Sequence, residues 1–120
     1  MRAELTRSFT FEAAHFLPTF PDGHKCRRLH GHSFRIDVCV AGMVEPGKGY
    51  LIDYGEIKVA CEPLRKRLDH YLLNEIEGLE NPTSEMIARW IWDRVRPALP
   101  NLSAVVVHET CDSRCEYRGK

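Results

Sequence analysis

Two stretches of this chain alternate with a period of two, on either side of a segment that cannot be a strand. The first, "RAELTRSFTFEAAHF" (2–16), sets Leu5, the run from Ser8 to Phe11, and Ala13 in an alternating pattern. The second, "HSFRIDVCVAGM" (32–43), puts Phe34, Ile36, Val38 and Val40 on one face. Alternation of this kind is the mark of a half-buried strand, because successive side chains point to opposite sides of a sheet. Between the two lies "FLPTFPDGHKCRRLHG" (16–31), with two prolines and two glycines, which reads as a loop. Two strands joined by one loop predict an antiparallel pair.

After the turn "VEPGKGY" the period changes. From Asp53, a good N-cap, Ile57, Cys61, Leu64 and Leu68 recur at helical spacing. Pro63 falls inside that pattern, so a kink or a restarted helix is expected there. "NEIEGLENP" breaks the chain. "TSEMIARWIWDRVRPAL" (83–99) reads as a second helix with Thr83 or Ser84 as its cap, and its apolar stripe runs from Ile87 to Leu99. "SAVVVHET" and "RCEYRG" read as a third and a fourth strand. The order β-β-α-α-β-β gives an α+β domain, an antiparallel sheet with two helices on one face. The other face is expected to carry apolar residues and to be covered by further subunits.

The 120 residues suit one domain, 1–120. A chain of this size buries roughly two thirds of its unfolded surface. That leaves little room for a deep internal site and favours one shared between subunits. Lys plus Arg number 17, matching 17 Asp plus Glu. A balanced charge argues against non-specific nucleic-acid binding, which runs on accumulated positive charge. No apolar stretch approaches the length of a membrane span. The first residues carry Glu4 and Glu12 and lack the apolar centre of a signal peptide. The expected location is the cytoplasm, where five cysteines fit reduced thiols.

The loop and the strand after it hold the chemistry. His30 and His32 are two apart at a strand start, so both side chains share a face. His15 ends the first strand. In an antiparallel pair joined by residues 16–29, His15 falls beside the other two. Three imidazoles with an open fourth position describe a catalytic zinc site. The alternative is that His30 and His32 are loop polar groups and His15 a strand-end residue. His24 reads as a solvated loop residue, and His108 as a strand residue satisfied by hydrogen bonding.

Cys26 is flanked by Lys25, Arg27 and Arg28, and nearby positive charge favours a thiolate. It reads as a proton acceptor or nucleophile beside the metal; as a fourth ligand it would make the site structural. Cys39 and Cys61 read as small core residues, and Cys111 and Cys115 as ordinary thiols. Asp69 and His70 are adjacent, and such neighbours do not face each other on a regular helix. The pair becomes informative if the helix ends there. Glu109, at a strand end, either lies exposed or accepts a paired N–H edge from a ligand.

Together, "FTFEAAHFLP", "GHKCRRLHGHSF", "LIDYGEIK", "RLDHYLLN", "NPTSE", "WIWD" and "HETCDSRCEYRG" resemble the 6-pyruvoyltetrahydropterin synthase family nearly end to end. Within it they are most similar to the bacterial branch that forms 6-carboxytetrahydropterin in queuosine biosynthesis. The three residues between Cys26 and His30 favour that branch over the animal one. The resemblance implies the tunnelling fold, in a homohexamer built as a dimer of trimers with active sites between subunits. It implies one Zn2+ per subunit on His15, His30 and His32, with Cys26 as the catalytic thiol. It assigns Asp69 and His70 to a proton relay and Glu109 to the pterin ring and the relay. Thr83 and Ser84 match hydroxyls that contact the pterin. The implied reaction converts 7,8-dihydroneopterin triphosphate to 6-carboxy-5,6,7,8-tetrahydropterin, acetaldehyde and triphosphate. Lys25, Arg27 and Arg28 are candidates to meet the triphosphate. A pyruvoyl-forming synthase and a pterin- or zinc-binding protein without turnover are the competing readings.

Overall fold

In a computed structural model, which describes residues 1–110 and 112–120, the chain forms β1 (Arg2–His15), β2 (His30–Met43), α1 (Tyr54–Leu68), α2 (Ser84–Val95), β3 (Leu102–Glu109) and β4 (Ser113–Tyr117). The reading of Cys111 as an ordinary thiol lies outside the described residues. The strands form one antiparallel sheet in the order β1-β2-β3-β4. β1 and β2 pair without a register break from Arg2↔Met43 to His15↔His30. This is the predicted hairpin, opened at one end by the intervening loop.

One face of the sheet is the core. Phe11 stacks on Phe34 with ring centroids 4.9 Å apart, and Ile36, Val38 and Val40 continue that row along β2. Ile57, Leu64 and Leu68 from α1 and Ile87, Ile91 and Val95 from α2 close over it. These are the positions that helical spacing assigned to the apolar stripes. Asp53 caps α1 by accepting the Gly55 N–H at 2.9 Å. Thr83 caps α2 by accepting the Met86 N–H at 3.2 Å.

Three expectations need correction. α1 does not restart at Pro63 but runs through it to Leu68. Proline leaves the carbonyl of Val59 without its helical donor. Val59 and Pro63 are both exposed, so that carbonyl lies where water can serve it. α2 ends at Val95 rather than Leu99; residues 96–99 turn away beside Pro97, although Leu99 still reaches the core. The face opposite the helices is mostly polar. Ser8, Thr10, Arg35, Asp37 and His108 stand on it, and its apolar members Cys39, Ala104 and Val106 are buried within the single chain. An uncovered apolar face therefore gives no argument for further subunits.

The cost at Pro63 can be measured. Pro63→Ala restores the missing donor and is expected to raise stability by up to about 3 kcal/mol, read as the midpoint of urea unfolding. An unchanged or lower midpoint would show that the helix has fully adapted to proline.

Candidate metal centre and active site

The β1–β2 register sets His15 opposite His30 and Ala13 opposite His32. All three imidazoles point to the core side at the open end of the hairpin. Their ring centroids lie 4.6, 5.2 and 4.9 Å apart, and one nitrogen from each falls within 4.8 Å of the others. The Phe34 ring backs the cluster, 5.6 Å from both His15 and His32.

Each ring is oriented from behind. His15 is fully buried, and its Nδ1 lies 2.9 Å from the carbonyl of Pro82. A carbonyl only accepts, so Nδ1 carries the proton and Nε2 is the free lone pair. That Nε2 is buried without any hydrogen-bond partner. Burial pushes the His15 imidazole below its ordinary pKa, against the opposing effect of the Pro82 hydrogen bond. His30 repeats the arrangement, with Nδ1 2.7 Å from the Arg28 carbonyl. His32 Nδ1 lies 3.1 Å from the Thr110 hydroxyl. An orphaned buried nitrogen aimed at two further imidazoles is costly unless a cation takes its lone pair. Three nitrogen donors held by outer partners fit a divalent metal of zinc's kind.

The cluster opens on a cavity of about 500 Å³ that Lys25, Cys26 and Glu109 also line. Cys26 sits on a single 3-10 turn, Lys25–Arg27, which the periodicity did not reveal. The loop is tied at its base, where Leu17 N–H donates to the Cys26 carbonyl at 2.8 Å. His24 is exposed, as expected of a loop residue, and it also caps the turn: its Nδ1 accepts the Cys26 N–H at 3.0 Å. Arg27 braces the loop, donating to the carbonyls of Pro18 at 2.6 Å and Phe20 at 2.8 Å. Its guanidinium is thus committed, which leaves Lys25 and Arg28 as the candidates to meet an anion.

Asp69 and His70 lie elsewhere in the chain's own surface. α1 stops at Leu68 and Asp69 caps it, so the two neighbours can face each other. Asp69 Oδ2 is 3.0 Å from His70 Nδ1, and its other oxygen accepts the Glu12 N–H at 2.9 Å. The Glu12 N–H first, then His70, holds the Asp69 carboxyl below the usual carboxylate range. His70 adopts a left-handed backbone, φ 65°, and its N–H donates to the Glu12 carbonyl at 2.6 Å. The His70 side of this unit lines a separate depression of about 600 Å³, with Glu12, His32, Tyr71 and Thr110. Within one chain, then, His70 and Cys26 do not line the same cavity.

Thr83 and Ser84 do not line the Cys26 cavity either. The contact from that region is the carbonyl of Pro82 on His15. His108 is hydrogen-bonded as expected, with Nε2 2.8 Å from Asp37 Oδ2 on the open face. Pro82, Arg28, His24 and Thr110 support the site in roles that escaped the sequence reading. Two of them act through backbone carbonyls, which leave no trace in residue type.

Residues 4–120 match the family described as 6-pyruvoyl tetrahydropterin synthase. The chain belongs to that family. A 6-carboxy-5,6,7,8-tetrahydropterin synthase of Synechocystis is 48% identical over 117 residues, covering 92% of this chain and 89% of the relative. A dihydroneopterin monophosphate aldolase of Pyrococcus furiosus is 38% identical over 100 residues, covering 83% and 81%. Among solved structures, a Caenorhabditis elegans 6-pyruvoyl tetrahydropterin synthase superposes with a TM-score of 0.90 at 24% identity, covering 100% of this chain and 97% of the other. The tunnelling fold expected of the family is therefore the fold of this chain.

The thiols of this family member differ in accessibility and charge. Burial raises the Cys39 and Cys115 thiols above their ordinary value and pushes Cys61 up to about 11. A raised thiol pKa means less thiolate at a given pH. Among Cys26, Cys39, Cys61 and Cys115, limited iodoacetamide treatment at about pH 8 is expected to label Cys26 first, read by peptide mass spectrometry. Labelling of Cys61 ahead of Cys26 would contradict the loop geometry.

Proposed function

We propose that the protein is a zinc-dependent lyase that converts 7,8-dihydroneopterin triphosphate and water to 6-carboxy-5,6,7,8-tetrahydropterin, acetaldehyde and triphosphate, in queuosine biosynthesis. The single observation that carries the reading is the three-imidazole cluster opening on one cavity with Cys26 and Glu109. The likeness to the Synechocystis synthase selects the carboxy-forming reaction.

In this reading His15, His30 and His32 hold one Zn2+ per subunit. Zinc so held is a Lewis acid for the oxygens of the substrate side chain. Cys26, as thiolate, takes a proton from the side-chain carbon and moves it toward the ring. Glu109 accepts the N–H edge of the pterin ring, a paired, charge-assisted contact that fixes its orientation. Lys25, with Arg28, meets the triphosphate. Thr83 and Ser84, which do not line the Cys26 cavity of their own chain, are assigned hydroxyl contacts to the pterin from the start of α2 of a neighbouring subunit. His70 returns protons, held in place by the Asp69 carboxylate on its Nδ1.

His70, with Asp69 hydrogen-bonded to it, lines a different depression from Cys26 in its own chain. We infer that they serve the Cys26 cavity of a neighbouring subunit, in a homohexamer of two trimers. The sheet leaves β1 and β4 as its edges; within the chain the outer side of β1 meets residues 69–72 at its Glu12–Ala14 end. Residues 1–120 act as one domain of that cytoplasmic assembly. The partner is a small molecule, and the balanced charge favours neither nucleic acid nor a membrane surface. No helix among the described residues is long and apolar enough to cross a membrane.

The test is turnover of 7,8-dihydroneopterin triphosphate by the zinc-loaded protein, with acetaldehyde and the pterin product assayed together. Both products are expected, with Cys26→Ala slower by about 10²–10⁴-fold. Triphosphate release without acetaldehyde would place the protein with the pyruvoyl-forming synthases. Turnover of only the monophosphate would place it with the aldolase. Pterin binding without turnover by any route would make it a binding protein.

A further inference from the structure

The three imidazoles are not held alike. Backbone carbonyls stand behind His15 and His30, and a carbonyl can only accept, so each of those rings is locked with its proton on Nδ1. Behind His32 stands a hydroxyl, which can accept or donate. If Thr110 donated to Nδ1, the ring proton would move to Nε2 and His32 would present N–H, not a lone pair, to the other two histidines.

The surroundings of the hydroxyl decide between these states. Thr110 Oγ1 accepts the Ser33 N–H at 3.2 Å and lies 3.5 Å from the Ser33 carbonyl. The backbone is pinned as well, with Thr110 N–H donating to that same carbonyl at 3.1 Å. The hydroxyl proton thus has an outlet on Ser33, and one lone pair is filled by Ser33 N–H. The remaining lone pair faces His32 Nδ1. Thr110 also directly follows Glu109, so one short segment reaches both the cluster and the carboxylate in the cavity.

We propose that Thr110 is a positioning residue for the metal centre: its hydroxyl, saturated by Ser33, accepts from His32 Nδ1 and so keeps Nε2 of His32 free to ligate. The inference rests on the metal-centre reading above and adds a residue that touches neither metal nor substrate. Glu109–Thr110 is then a two-residue device, one side chain for the ring of the ligand and the other for the metal ligand behind it.

The experiment is zinc affinity by chelator competition for the wild-type protein, Thr110→Val and Thr110→Ser. Valine keeps the shape and removes the acceptor, and is expected to weaken binding about 10–100-fold; serine keeps the hydroxyl and recovers most of the loss. In metal-free protein at about pH 8, above the ordinary histidine range, ring-nitrogen NMR is expected to show His32 protonated on Nδ1. In Thr110→Val that ring becomes a mixture of tautomers, while His15 and His30 stay as they were. Wild-type affinity in the valine variant, or equal losses for valine and serine, overturns the inference. Failure of the wild-type protein to bind zinc overturns the metal-centre reading itself, and this inference with it. Metal-free thermal midpoints identify misfolding; if valine disturbs the strand end, Thr110→Ala makes the same comparison.

Discussion

The pairing of β1 with β2 is the constraint on which everything else hangs. It runs unbroken from one end of both strands to the other. Side chains alternate across a sheet, so a slip of one residue would turn every core side chain of one strand outward. The stacked Phe11–Phe34 pair and the buried row of Ile36, Val38 and Val40 make that slip expensive. The same register delivers His15 to His30 and His32. The position of the cluster is thus specified by core packing that starts at the Phe34 ring behind it and runs along β2, and its geometry is inherited from hydrophobic burial.

Burial then does a second job at that end of the hairpin. A charged imidazole is disfavoured in a poorly solvated place, so His15 is kept neutral, the state in which nitrogen can coordinate. Carbonyls of Pro82 and Arg28 come from two different connections, the lead into α2 and the loop before β2. The centre is therefore assembled from three parts of the chain, and none of them holds it alone. Cys26, on a loop tied by Leu17, His24 and Arg27, is set beside it with little freedom to wander.

Much of this was legible in the residues. Alternation located the first two strands, helical spacing located both helices, and the hairpin argument placed the three histidines together before any coordinates. What escaped has physical causes. Pro63 signals a break, but the signal assumes that the orphaned carbonyl needs a protein partner; on an exposed face it does not. Arg27 looks solvated by residue type, yet its guanidinium and one ring nitrogen of the exposed His24 bond to backbone groups that sequence does not display. The open sheet face was expected to carry apolar residues, whereas the β1 and β2 residues opposite the core row are mostly serine, threonine and charged side chains, with Cys39 buried among them. Asp69 and His70 were identified, but their distance from Cys26 depends on how the end of α1 meets β1, a relation between elements far apart in sequence.

The left-handed backbone at His70 has a consequence beyond the relay. A residue with a side chain adopts that conformation at a cost on the order of 1–3 kcal/mol, and glycine adopts it almost freely. The Glu12 carbonyl and the Asp69 carboxylate hold the histidine there against its preference. Selection for stability alone would favour glycine at this turn, since it also escapes the demand for partners. The chain instead keeps an imidazole where the backbone resists it; on the role proposed for His70, durability at this one position is exchanged for chemistry.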